Sequence, residues 1–165
     1  MIGNPLILLL AAIVPMLVGA LWYGPLFGNS WMKVNGFKEE DLRGGNMIVI
    51  FGLSFVLSII LALGISGLAI HQNSIMQLFV MHPDFEVAGS EVNTLYNSIM
   101  DNYSGRHRTF GHGAIHGAFG SVLLALPLIA INGLFERRGA KYIGIHFGYW
   151  VVTMALMGGI ICQWM

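Results

Sequence analysis

Residues 44–71, GGNMIVIFGLSFVLSIILALGISGLAIH, carry no Asp, Glu, Lys or Arg. A helix of about 20 predominantly apolar residues crosses the roughly 30 Å hydrocarbon core of a bilayer, so this stretch is long enough to span one. Three further windows share the property. Met1 to Met32 is uncharged, Thr109 to Phe135 holds only histidines, and Tyr142 to Met165 holds only His146. The expected architecture is all-α: an integral membrane four-helix bundle in one membrane domain, residues 1–165, with helices over about 4–27, 46–71, 110–134 and 141–164.

Composition agrees. The 165 residues are 56% hydrophobic and 10% charged, and mean hydropathy is +0.72. A soluble domain carries about 25% charged residues, so this chain lacks the polar groups to coat a surface in water. Disorder is excluded, because it requires low hydrophobicity. Eight Lys+Arg balance eight Asp+Glu, so no basic field attracts nucleic acid. Cys162, the single cysteine, rules out an intramolecular disulfide and a cysteine-built zinc site.

The first window does not read as a cleaved signal peptide. It lacks a basic start and a small-residue cleavage site, and its apolar stretch is too long. Pro5 follows Asn4 in the first helical turn, where proline is tolerated. Pro15 and Pro127 are mid-helix and should kink the first and third helices.

Lys and Arg near helix ends set orientation. Lys33, Lys38 and Arg43 lie in the first loop and Arg137, Arg138 and Lys141 in the third. The longer 72–108 loop has only Arg106 and Arg108, against Asp84, Glu86, Glu91 and Asp101. The first and third loops are therefore expected in the cytoplasm, with the termini and the 72–108 loop extracytoplasmic. Trp22, Tyr23, Trp31, Tyr142, Tyr149 and Trp150 fall near the inner interface, and Tyr103 and Trp164 near the outer one, the depth aromatic rings prefer. The 72–108 segment holds charges and Pro83, so it should not span. It reads as a partly ordered loop, with Ile75–Met81 able to lie on the membrane and Val92–Asn102 as a short helix. Both an ordered cap over the helix ends and a gating lid fit.

Small residues at four-residue spacing let membrane helices approach closely. The third helix has Gly113, Gly117 and Ser121; the fourth has Gly144 with Gly148, then Ala155 with Gly159; the first has Ala20, Gly24 and Gly28. These ribbons predict a tight bundle without separating contacts within the chain from contacts with a second subunit.

His112 and His116 stand four apart, so both imidazoles leave one helix face. His71 ends the second helix at the same level and His107 precedes the third, with Asp101 or Glu91 of the loop within reach. Three uses are open: interhelical hydrogen bonding, a polar-ligand or proton site, or a transition-metal or haem site of His71, His112 and His116. Near the other interface, His146 shares its depth with Trp22 and Tyr23, either snorkelling or lining a pocket among aromatic rings. The sequence contains no Walker loop, dinucleotide fingerprint, G-x-S-x-G elbow or paired intramembrane carboxylates. An enzyme is therefore not the first expectation, and no motif identifies a cofactor.

Gly19-Ala20-Leu21-Trp22-Tyr23-Gly24-Pro25-Leu26-Phe27-Gly28, followed by Trp31 and Met32, resembles the opening signature of small bacterial membrane proteins, the domain of unknown function 1761 family. His112-Gly113, His116-Gly117, Pro127, Phe135-Glu136-Arg137, Gly148-Tyr149, Leu156-Met157-Gly158 and Trp164 continue it in order. The 72–108 segment is longer than usual there. The resemblance implies a four-helix protein of the bacterial cytoplasmic membrane and assigns no reaction, cofactor or site. The leading expectation is a non-enzymatic binding subunit of a membrane assembly, homo-oligomeric or part of a larger complex. Its occupant would be a partner or a lipophilic ligand. A histidine-based metal or haem protein and a small oligomeric transporter or channel are the alternatives.

Overall fold

The computed structural model describes residues 3–165; Met1 and Ile2, at the start of the first uncharged window, lie outside the described residues. All regular structure among the described residues is helical. In chain order it comprises α1 (Pro5–Leu21), a π-helical turn (Trp22–Leu26), α2 (Gly28–Asn35), a short 3₁₀ turn (Glu39–Leu42) and α3 (Met47–Ala69). Then come α4 (His71–Phe79), α5 (Glu91–Tyr103), α6 (Phe110–Gly120), a second π-helical turn (Ser121–Ala125), α7 (Leu126–Phe135) and α8 (Ala140–Trp164). Four segments are long and apolar enough to cross a membrane: Pro5–Leu26, Met47–Ala69, Phe110–Phe135 and Ala140–Trp164. Hereafter they are the first to fourth spans.

The few polar residues bounding these segments cap them. Asn4 accepts from the Leu6 N–H, Asn46 from Val49 N–H and Thr109 from His112 N–H. Each satisfies one of the orphan donors at a helix start. Proline acts differently from the expectation. The first span runs on as α-helix through Pro15 and departs from helical geometry at Gly24 (φ −100°, ψ −107°), just before Pro25. Pro127 is the second residue of α7, just past the second π-helical turn. A proline ring clashes with the carbonyl one turn back, and the wider π turn moves that carbonyl away.

The fourth span is the hub, packing against α1, α3 and α6. Its Met157, Ile161 and Cys162 are buried with Ala62, Ile65 and Ala69 of α3 and Leu8 and Ala11 of α1. The closest approach is between α6 and α8. A Cβ added at Gly113 would overlap the Gly158 carbonyl, and one at Gly117 the Met154 carbonyl. Gly148 lies under the Trp22 ring, where a Cβ would come within 2.8 Å of it. Gly144, one turn earlier, has no described residue within 4 Å of its Cβ position.

Away from these contacts the spans present apolar side chains outward: Ile48 is 85% exposed, Leu57 64%, Leu123 65% and Leu128 65%. Water would penalise so continuous an apolar girdle; hydrocarbon does not. This is the architecture of a membrane protein.

The segment between the second and third spans is ordered. Ile70 (φ −111°, ψ 100°) ends α3 two residues before the expected limit, so His71 opens α4 instead of closing the span. Ser90 caps α5 through the Asn93 N–H. Tyr96 of α5 packs against Phe79 and Phe85 at ring separations of 5.8 and 5.0 Å. α4 continues from the end of the second span and packs against α5.

Candidate metal centre and aromatic site

Where α3 gives way to α4, the chain turns so that His71 faces α6. Helical periodicity aims His112 and His116 at the same point, their rings 4.5 Å apart. His71 Nε2 lies 3.0 Å from His112 Nε2, and its ring is 4.8 Å from that of His116. One nitrogen from each of the three residues lies within 4.8 Å of the others. His112 and His116 are half-buried and His71 is exposed, so the cluster meets the surface beside the α4–α5 cap.

The His71–His112 contact has a chemical consequence. One imidazole nitrogen donates its proton and the other accepts it through a lone pair. The accepting nitrogen carries a free lone pair, the form that binds metals. Loss or relocation of the donated proton frees two lone pairs directed at one point.

His107 joins as a fourth ring. It is stacked on His112 at 4.9 Å and 22° and edge-on to His71 at 6.1 Å, but is not one of the three converging ligands. Neither Asp101 nor Glu91 belongs to that group. Asp101 instead lines a separate cavity of about 720 Å³ under the cap, with Gln72 and Arg108.

At the opposite end the structure brings Trp22, Tyr23 and His146 together. The π-helical turn rotates both aromatic rings toward α8. Trp22 Nε1 donates to the Ile145 carbonyl at 3.0 Å. The Tyr23 hydroxyl lies 3.0 Å from His146 Nδ1, and the Tyr142 ring covers His146 at 4.4 Å. His146 Nε2 is buried without a hydrogen-bond partner among the described residues. Tyr149, which sequence reasoning treated only as an interfacial ring, donates to the Pro15 carbonyl at 3.0 Å. An open-sided cavity of about 430 Å³ runs between the first and second spans, with Gly19, Tyr23, Trp31, Phe51, Ser54 and Tyr149 among its lining residues.

Two site residues carried no sequence signal. Gln72 is buried and its Nε2 donates to the carbonyls of Tyr103 (2.8 Å) and Arg106 (3.1 Å). Cys162 Sγ lies 3.3 Å from the His107 carbonyl and 3.4 Å from that of Ala69. Both contacts depend on distant parts of the chain meeting.

No curated protein and no solved structure matches the chain. A family model does, over residues 6–162, and with the span pattern it covers nearly the whole fold: the chain belongs to the DUF1761 family, whose members are described as proteins of unknown function.

Proposed function

We propose that this chain is a metal-binding protein of a bacterial cytoplasmic membrane, in which His71, His112 and His116 hold one divalent transition-metal ion. The observation that carries the reading is the convergence of three imidazole nitrogens within 4.8 Å of one another. Ligands about 2.0–2.1 Å from a tetrahedral zinc stand about 3.3 Å apart, so small side-chain movements close the site. An all-nitrogen donor set suits zinc, copper(II), nickel or iron. It does not suit calcium or magnesium, which take oxygen.

Cation-rich loops are expected to face the cytoplasm, which puts the histidine cluster and cap on the outer side. A thiol engineered at Lys38 should resist labelling from outside intact cells; ready labelling there would reverse the orientation.

The experiment for the metal uses tag-free full-length protein in mild detergent, titrated with zinc(II) and assayed by elemental analysis and calorimetry. One equivalent should bind. His116→Ala should weaken binding by more than about 100-fold, beyond the range of outer-shell substitutions. No stoichiometric zinc, or wild-type affinity in His71→Ala, His112→Ala and His116→Ala, would leave the cluster as hydrogen bonding between helices.

A second reading, binding of a lipophilic ligand, is supported by the cavity of about 430 Å³. Its occupant would be a membrane-soluble amphiphile whose apolar body lies against Phe51 and whose polar group reaches the Tyr23 hydroxyl. Native mass spectrometry should show an added mass that Gly19→Phe removes. A bare wild-type protein would eliminate this reading. The same spectra report whether the chain is a homo-oligomer or a subunit of a larger complex.

A further inference from the structure

The segment that carries His107 is held more firmly than a connecting loop needs to be. His107 has φ 63°, a left-handed conformation that is uncommon for a residue other than glycine. Half-buried contacts hold it there from two directions. Gln72 binds the Tyr103 and Arg106 carbonyls, and Cys162 of α8 contacts the carbonyl of His107 itself. Gln72 is the neighbour of His71 in α4, so the residue that anchors the loop is adjacent to a candidate ligand. The result is an imidazole parked face to face with His112, 4.9 Å away.

We propose that His107 is the fourth ligand of the histidine centre, and that Gln72 is the positioning residue that presents it. This rests on the metal reading above. Three ligands would leave a tetrahedral ion one open position, the hallmark of a catalytic site; four protein ligands close the shell, as in structural sites. Rotation of the His107 side chain out of its stack brings a ring nitrogen into that position while the anchored backbone stays in place. The ion is then enclosed by four neutral imidazoles from α4, α6 and the cap segment. Such a centre stores an ion or staples the cap to the spans, and it leaves no position for a substrate. Gln72 acts as outer-shell groups act on metal ligands elsewhere, by fixing where the ligand stands.

Copper(II) is the probe, because nitrogen hyperfine splitting in its electron paramagnetic resonance spectrum counts equatorial nitrogens. One equivalent is added to tag-free full-length protein in detergent. The informative variant is His107→Asn, since asparagine tolerates the left-handed backbone but has no imidazole. The expected result is four nitrogens in the wild type, three in His107→Asn, and affinity more than about 100-fold lower, a loss beyond that of outer-shell substitutions. Gln72→Met removes the anchor and keeps all four imidazoles. It should lose the uniform four-nitrogen spectrum while its metal-free thermal midpoint shows that the spans remain folded. Three nitrogens in the wild type, or unchanged affinity in His107→Asn, would overturn the fourth-ligand assignment and leave the three-histidine site standing. Failure of the wild type to bind copper would overturn both.

Discussion

Gly117→Leu should lower the thermal midpoint of the detergent-solubilised protein more than any other single substitution in the spans. A Cβ at this position overlaps the Met154 backbone carbonyl, and one turn earlier Gly113 and Gly158 stand in the same relation to each other. A side chain in the way can turn aside, whereas a helix backbone cannot, so the leucine must push α6 and α8 apart. In water, apolar side chains reseal such a gap by excluding solvent. In lipid that driving force is missing, because hydrocarbon is as apolar as the side chains, and close packing is what holds helices together. The cost should therefore exceed the roughly 1–3 kcal/mol typical of overpacked soluble cores. Gly144→Leu is the matched control. It places the same side chain where nothing lies within 4 Å, and its effect should stay within about 0.5 kcal/mol. Equal losses in the two variants would refute the account of the α6–α8 contact.

That pair of glycines also marks what can be read from a linear sequence. Gly144 and Gly148 have the spacing of a packing ribbon, yet only Gly148 lies beneath Trp22, where an added Cβ would come within 2.8 Å of the ring. Spacing fixes which residues share a helix face; it does not fix what stands opposite. The spans were legible because length and the absence of charge are local properties with a physical threshold. The same holds for the second-span start, where Asn46 caps Met47. The end of that span was less legible, because Ile70 turns to extended backbone at the last apolar residue and the polar run His71-Gln72-Asn73-Ser74 opens a new helix. The His112–His116 pair follows from helical periodicity, and His71 from its depth in the membrane. The support for His107 does not: Gln72 reaches Tyr103 and Arg106, which lie 31 and 34 residues further along the chain. Nothing in the composition of either segment announces that meeting. The π-helical turns were missed for a related reason. Gly24 and Pro25 advertise a break, but whether the helix kinks, stops or widens depends on the Trp22 and Tyr23 contacts with α8.

Zinc should raise the thermal midpoint of the wild type in a concentration-dependent way. An ion that binds only the folded state adds about 2.7 kcal/mol when its free concentration is a hundred times Kd. The ligands make this more than a local effect. His71 opens α4, directly beyond the second span, while His112 and His116 belong to the third. An ion held by all three adds a bridge between spans that also meet directly and through α8, with Cys162 touching the Ala69 carbonyl on one side and Gly158 touching Gly113 on the other. In His116→Ala, and more so in the triple variant His71→Ala/His112→Ala/His116→Ala, the stabilisation should vanish, although the metal-free midpoints need not match. Gly117→Leu supplies the decisive comparison. If the ion clamps α4 to α6, zinc should still stabilise this variant, because the glycine faces α8 and not the histidines. An equal zinc response in the triple-histidine variant would mean that the ion acts elsewhere on the chain, and the bridge between the second and third spans would have to be abandoned.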